Sequence, residues 1–273
     1  MLFFVLDFRS ADVDGAVVPG RLTLGTPTLD MLRECRNVVF LVHGFNVSRG
    51  DAAAELRNLS GLLPVVGEGA AVAVLWPGDS MLGPISYSFE TNTADDSAVE
   101  LAKFIGDNLG RCPSISFAAH SLGSRVAMQT VQQLKIIGVP VSQVCLMAGA
   151  IDNNSLAGEA AYLAAAQYAD RVAVLYSPSD TVLQYAYPAG NLLSSFLHWT
   201  ATSNAALGFT GPLAAPTDQP IPEEVQATGI LKSAAVNHSD YIPNADGPPS
   251  SKQLAAARYA NLVLSGAAPL KYE

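Results

Sequence analysis

The sequence predicts an α/β architecture, a mostly parallel central sheet flanked by helices. Three observations predict it. Short apolar runs rich in Val, Ile and Phe recur along the chain, the runs lack strict alternation, and segments with helical periodicity separate most of them. Strands buried on both faces by covering helices have this character, whereas a half-exposed sheet alternates apolar with polar residues.

The apolar runs are 2–6, 38–42, 71–75, 114–119, 141–147 and 172–176. Between the second and third, Ser48 with Asp51 three residues on has capping-box spacing and opens a helix ending near Pro64. Thr93 with Asp96 predicts the start of another, in which Val99, Leu101, Phe104, Ile105 and Leu109 share one broad face before Gly110 stops it. Residues 122–137 carry Val126, Val131, Leu134 and Ile137 on a helical period, with Gly138 and Pro140 at the end. Ser155 as an N-cap predicts an Ala-rich helix over 155–169, and 251–264 forms a last helix. Strand and helix in alternation imply a doubly wound sheet, in which the active site lies at the carboxyl ends of the strands. With no repeat and no clear linker, the expectation is one domain over 1–273.

Composition narrows the function. A chain of 273 residues buries enough surface to fold without disulfides or metals. Hydrophobic residues make up 49% and charged residues only 14%, against about 25% charged in an average domain, so large apolar faces lie inside or at an interface. The net charge is −9 with no Lys/Arg cluster, which argues against nucleic acid and against anionic lipid as partners. The three cysteines, Cys35, Cys112 and Cys145, are odd in number and widely spaced, indicating neither a disulfide framework nor a zinc site; Cys112 and Cys145 read as core. The opening MLFFVLDFR has no basic flank and is interrupted by Asp7, so it reads as a first strand rather than a signal peptide. No run reaches the ~18 apolar residues of a membrane span. The expected location is cytoplasmic.

Residues 181–217 break the rhythm. They hold no Asp, Glu, Lys or Arg, but include Tyr185, Tyr187, Leu192, Leu193, Phe196, Leu197, Trp199 and Phe209. Two readings are open: a cap over the site that accepts an apolar acyl or alcohol group, or a segment buried against the body or in a homo-oligomer contact.

The chemistry-bearing residues begin at Ser121. The run Ser114–Ala119 leads straight into His120-Ser121-Leu122-Gly123, and a helical pattern follows. This resembles the nucleophile elbow of the α/β hydrolases, where a sharp strand-to-helix turn exposes a serine between small residues, here Ala119 and Gly123. Upstream, the strand 38–42 ends in His43-Gly44-Phe45-Asn46, which resembles the loop supplying an oxyanion donor in that family. Trp76-Pro77 after a strand joins these motifs in resembling a group of poorly characterised bacterial α/β hydrolases.

The resemblance spans about residues 37–241 and implies an α/β-hydrolase fold with serine chemistry, though not a substrate. It implies the Phe45 and Leu122 amides as oxyanion donors, with Gly44 allowing close approach and His43 in a structural role. Asn46 reads as a turn residue, with a second reading in which it orients the loop. The family order of nucleophile, acid, histidine implies His238 as the base, ahead of His198 in the apolar insertion. His120 flanks the nucleophile, so its side chain is expected to point elsewhere. The acid is implied to be Asp180, presented by the turn after the run 172–176, with Asp152 as the alternative. Trp76 and Tyr87 have two readings, pocket mouth or packing. The expected activity is hydrolysis of a small-molecule ester, with the uncharged insertion 181–217 as the clue to an apolar group in it, and without cofactor or metal. A catalytically idle binding protein of the same fold, an acyltransferase and an amidase remain alternatives.

Overall fold

The computed structural model describes residues 2–11, 13, 15–23, 28–64, 69–78, 87–158, 160–185, 187, 205–214, 220–229 and 235–267. Among them, eight strands form one sheet: β1 (Leu2–Arg9), β2 (Val17–Leu22), β3 (Asn37–Val42), β4 (Ala70–Leu75), β5 (Ser114–His120), β6 (Gln143–Met147), β7 (Arg171–Tyr176) and β8 (Val225–Gly229). Their order across the sheet is β2-β1-β4-β3-β5-β6-β7-β8. Only β1 and β2 pair antiparallel; every other neighbouring pair is parallel.

The central strands are buried on both faces, which is why they read as unbroken apolar runs. All of β4 is buried, and β3 is buried after Asn37. Phe40 of β3 and Phe117 of β5 stand in register and stack at 5.5 Å between ring centroids. The edge strands β2 and β8 left no such run. β2 carries Pro19 and Gly20 and is only partly covered, and β8 reads Val-Gln-Ala-Thr-Gly. An edge strand pairs on one side and packs on less, so its sequence is less constrained.

The helices among the described residues include α1 (Leu29–Arg33), α2 (Arg49–Gly61), α3 (Tyr87–Leu109), α4 (Gly123–Ile137), α5 (Leu163–Ala166), α6 (Leu207–Thr210) and α7 (Ser251–Leu264). Ser48 caps α2 by accepting from the Asp51 amide. Ser250 and Gln253 form a full capping box at α7, and α4 ends on left-handed Gly138.

Two helix expectations are corrected. Thr93 does not open a helix; it lies inside α3, which begins at Tyr87, and its carbonyl accepts the Ser97 hydroxyl at 2.7 Å. Once α3 packs along α4, extending it by a turn needs only a bond per residue, and a good capping sequence inside it does not stop it. The segment 155–169 is not one helix but a series of turns followed by the short α5. Ser155, Leu156 and Ala157 are all buried, which a one-faced surface helix does not allow, and Gly158 is left-handed at φ 62°. Burial on several sides overrides alanine propensity here.

All three cysteines are buried and free. Among the described residues no helix is long and apolar enough to cross a membrane. Because β3, β5 and β7 run parallel, the segments that follow them emerge along one edge of the sheet. Those segments carry Gly44, Ser121 and Asp180.

Candidate active site

At the end of β5 the backbone turns sharply, and Ser121 sits at φ 53°. A non-glycine residue there costs roughly 1–2 kcal/mol and persists only when its surroundings hold it. The neighbours do so: the Ser121 amide donates to the Met147 carbonyl at 3.0 Å, and its own carbonyl accepts from Ser124 and Ala150, each at 3.0 Å. Ser121 is nearly buried, at 7% exposure.

Two glycines let the loop after β3 lock against this turn. A Cβ on Gly123 would stand 2.4 Å from the His43 carbonyl oxygen, and a Cβ on Gly44 would stand 2.9 Å from the Ser121 Cβ. Neither position tolerates a side chain without displacing backbone. The two motifs are thus in direct contact.

His238 enters from the far end of the chain, on a 3-10 turn over His238–Asp240. Asn237 caps that turn: its side chain accepts the His238 amide at 2.8 Å, and Asp240 accepts the Asn237 amide at 2.8 Å. The same Asn237 oxygen accepts the amide of Thr181 at 3.2 Å, and the Ser177 hydroxyl donates to the Val236 carbonyl at 2.6 Å. The loop after β7 and the His238 loop are therefore fastened to each other on both sides of Asp180.

The side chains meet in file. His238 Nε2 lies 2.9 Å from Ser121 Oγ, and His238 Nδ1 lies 2.8 Å from Asp180 Oδ2. Asp180 is fully buried, and its other oxygen accepts the Leu183 amide at 2.9 Å. With Nδ1–H donating to the carboxylate, Nε2 presents a lone pair to the serine hydroxyl.

Asp152 does not meet His238. It accepts the Tyr187 hydroxyl at 2.7 Å and forms a backbone bridge with Ala206. It thereby ties both described ends of the apolar insertion to the segment after β6. The returning end is bound further by the Leu207 amide on Ile151 and the Gly208 amide on Gly149. His198 and residues 188–204 lie outside the described residues, as does the Tyr87 side chain. Trp76 is fully buried, stacked on His43 at 5.6 Å, with its indole N–H on the His43 carbonyl at 2.9 Å. It packs beneath the loop rather than lining a mouth.

The Leu122 amide opens the α4 turn and the Phe45 amide follows Gly44. Neither donates to an acceptor among the described residues. Asn46 is left-handed, at φ 57°, and its amide donates to the Gly78 carbonyl at 2.6 Å; this fits its reading as a turn residue. His43 is buried, and burial first, then the Arg9 charge, lowers its pKa to about 3.

Sequence reasoning sent the His120 side chain away from the site. It turns off Ser121, but Nε2 donates to the His238 carbonyl at 2.9 Å, and its ring packs 4.8 Å from that of His238. Burial, then the neighbouring His238, lowers its pKa to about 3. Nothing local in the sequence signals this contact. The Asn237…Asp240 capping spacing, by contrast, is a local signal that sequence reasoning did not use.

A family model described as "Alpha/beta hydrolase of unknown function (DUF900)" matches residues 29–190, more than half of the chain. The chain belongs to that family. His238 of this α/β hydrolase lies beyond the matched residues. No curated protein matches. Among solved structures, an esterase from Pyrobaculum calidifontis is 16% identical, with 84% of this chain and 76% of that chain covered and a TM-score of 0.43. An esterase from Rhizomucor miehei is 13% identical, with 87% and 75% covered and a TM-score of 0.45. Carboxyl esterase 2 from Tuber melanosporum is 10% identical, with 86% and 79% covered and a TM-score of 0.44. At these values none of the three informs the chemistry of this α/β hydrolase.

Proposed function

We propose that this α/β hydrolase is a serine hydrolase that cleaves carboxylic esters through an acyl-enzyme on Ser121. The observation that carries the reading is the file Ser121 Oγ, His238 Nε2 at 2.9 Å and His238 Nδ1 to Asp180 Oδ2 at 2.8 Å. A serine hydroxyl is a weak nucleophile until a base takes its proton, and here the base stands in hydrogen-bond reach with its own partner behind it.

Ser121 Oγ attacks the ester carbonyl carbon while its proton passes to His238 Nε2. The electron pair of the carbonyl moves onto oxygen, and the Phe45 and Leu122 amides receive the oxyanion. Collapse re-forms the carbonyl and breaks the bond to the alcohol, which leaves with the proton from Nε2. Water then gives a proton to the same nitrogen and attacks the acyl carbon; collapse breaks the bond to Ser121 Oγ, which takes that proton back from Nε2 as the acid leaves. Asp180 holds the imidazole in the Nδ1–H form and stabilises its cation.

The uncharged insertion 181–217 supports an apolar acyl or alcohol group as the substrate's recognised part. Val182 and Tyr185 at its start are exposed, at 45% and 69%.

A fluorophosphonate probe tests the core of this reading, because it labels only a serine already activated toward attack. Wild type is expected to be labelled and Ser121→Ala not. A panel of activated esters of increasing acyl length is expected to give turnover that rises with chain length before it falls. An unlabelled wild type, silent toward every ester, would leave the idle binding protein as the better reading.

A further inference from the structure

At the end of β1, a strand that supplies none of the motifs, Arg9 reaches the loop after β3. Its Nη2 lies 3.2 Å from His43 Nε2 and also donates to the Val47 carbonyl at 3.0 Å. A guanidinium has donors only, so Nε2 of His43 accepts and the ring proton sits on Nδ1. From there it donates to the Gly44 carbonyl at 2.7 Å. Trp76 fixes the ring from the side, stacked within 14° of parallel.

The consequence follows from the planarity of one peptide. No cis peptide occurs among the described residues, so the Gly44 carbonyl and the Phe45 N–H point in opposite directions from one rigid unit. Pinning the carbonyl to His43 fixes the direction of the amide. The stretch is held beyond it as well, by the Asn46 amide on Gly78 and the Val47 carbonyl on Arg9. Between these ties lies the Phe45 amide, next to the glycine that abuts Ser121.

We infer that Arg9 is a positioning residue for the proposed reaction: it selects the Nδ1–H form of His43 and, through the Gly44 carbonyl, aims the Phe45 amide at the oxyanion. The inference rests on the serine-hydrolase reading above. No hydrogen bond among the described residues joins Arg9 to Ser121 or His238, so its removal is felt in the transition state more than in substrate binding. It also borders a cavity of about 330 Å³ lined by Ser10, Arg21, Thr23 and Arg49 among others, which gives a free guanidinium ion a way to the truncated site.

The test is Arg9→Ala assayed with an activated ester, with and without millimolar guanidinium and with urea as a control. Loss of an oxyanion donor outright costs about 10²–10³ in kcat. Loosening one is expected to cost roughly tenfold to a hundredfold, with KM within about threefold of wild type, and guanidinium but not urea restores part of kcat. In ¹⁵N NMR, His43 is expected to be the Nδ1–H form in wild type and to move toward Nε2–H in the variant. A kcat within twofold of wild type, or an unchanged His43 tautomer, overturns the inference. If Arg9→Ala does not fold, Arg9→Lys keeps the charge on a shorter stem. It is expected to lose kcat to a lesser degree, and full wild-type kcat in it overturns the inference equally. A wild type that neither turns over nor takes a fluorophosphonate sinks the serine-hydrolase reading instead, while the NMR measurement still reports on the hold of Arg9 over His43.

Discussion

His120 donates from Nε2 to the backbone carbonyl of His238 at 2.9 Å. The residue before the proposed nucleophile thus holds the main chain of the residue that faces it, although the two are far apart in sequence. Among the described residues the main chain before it is also tied: the Ser177 hydroxyl and the Lys252 ammonium donate to the Val236 and Ala235 carbonyls, and the Asn237 side chain accepts the Thr181 amide.

Replacing His120 removes that tie. His120→Phe keeps the ring volume but leaves the carbonyl without its donor, a cost of about 1 kcal/mol. We expect kcat to fall roughly tenfold, since small misplacement of a base is costly in rate, with KM little changed. Steady-state kinetics beside a urea titration would check both; unchanged kcat would show that the His238 loop holds itself.

The depressed pKa values of His43 and His120, each about 3, make stability depend on pH. The unfolded chain takes up protons near pH 6.5, whereas these folded rings do not until about pH 3. Stability is therefore full above about 6.5 and is lost as pH falls toward 3, at up to about 1.4 kcal/mol per pH unit per histidine. Urea titrations at pH 7.5, 6 and 5 should show this loss, and His120→Phe should show it reduced by about one proton. An identical slope in the variant would contradict a neutral, buried His120.

Ser121 at φ 53° separates two variants of the proposed nucleophile by stability. Ser121→Gly relieves the left-handed backbone, whereas Ser121→Ala keeps its cost. The glycine variant is expected to be more stable by about 1 kcal/mol. Equal denaturation midpoints would mean that the turn is relaxed in solution.

Gly123→Ala would drive a methyl against the His43 carbonyl, at 2.4 Å from its ideal position. Overpacking of this kind costs about 1–3 kcal/mol, and the backbone that must yield is the one leading to Phe45. Both the melting temperature and kcat are expected to fall. A variant with lowered stability but full kcat would separate this contact from the proposed role of the Phe45 amide.

The two candidate acids are told apart by a matched pair. Asp180→Asn preserves shape but favours the wrong imidazole tautomer, and is expected to lower kcat by about 10³–10⁴. Asp152→Asn loosens the insertion at Tyr187 and is expected to act on KM for long esters more than on kcat. The reverse pattern would move the acid to the segment after β6.

By itself the sequence determined the alternating strands of the buried sheet, because burial on both faces leaves few residue types that fit. It also made the elbow and the His-Gly loop legible, because both need small residues at fixed spacing for steric reasons. It left β2 and β8 unread, since edge strands tolerate polar residues, Pro and Gly, and it overextended alanine propensity at 155–169, where packing decided otherwise. Only the tertiary structure decided that Asp180 rather than Asp152 stands behind His238, that His120 holds the His238 main chain, and that Arg9 reaches His43. These are contacts between residues distant in the chain, made by hydrogen bonds whose partners no local pattern names, and they exist only once the parallel strands bring their ends to one edge.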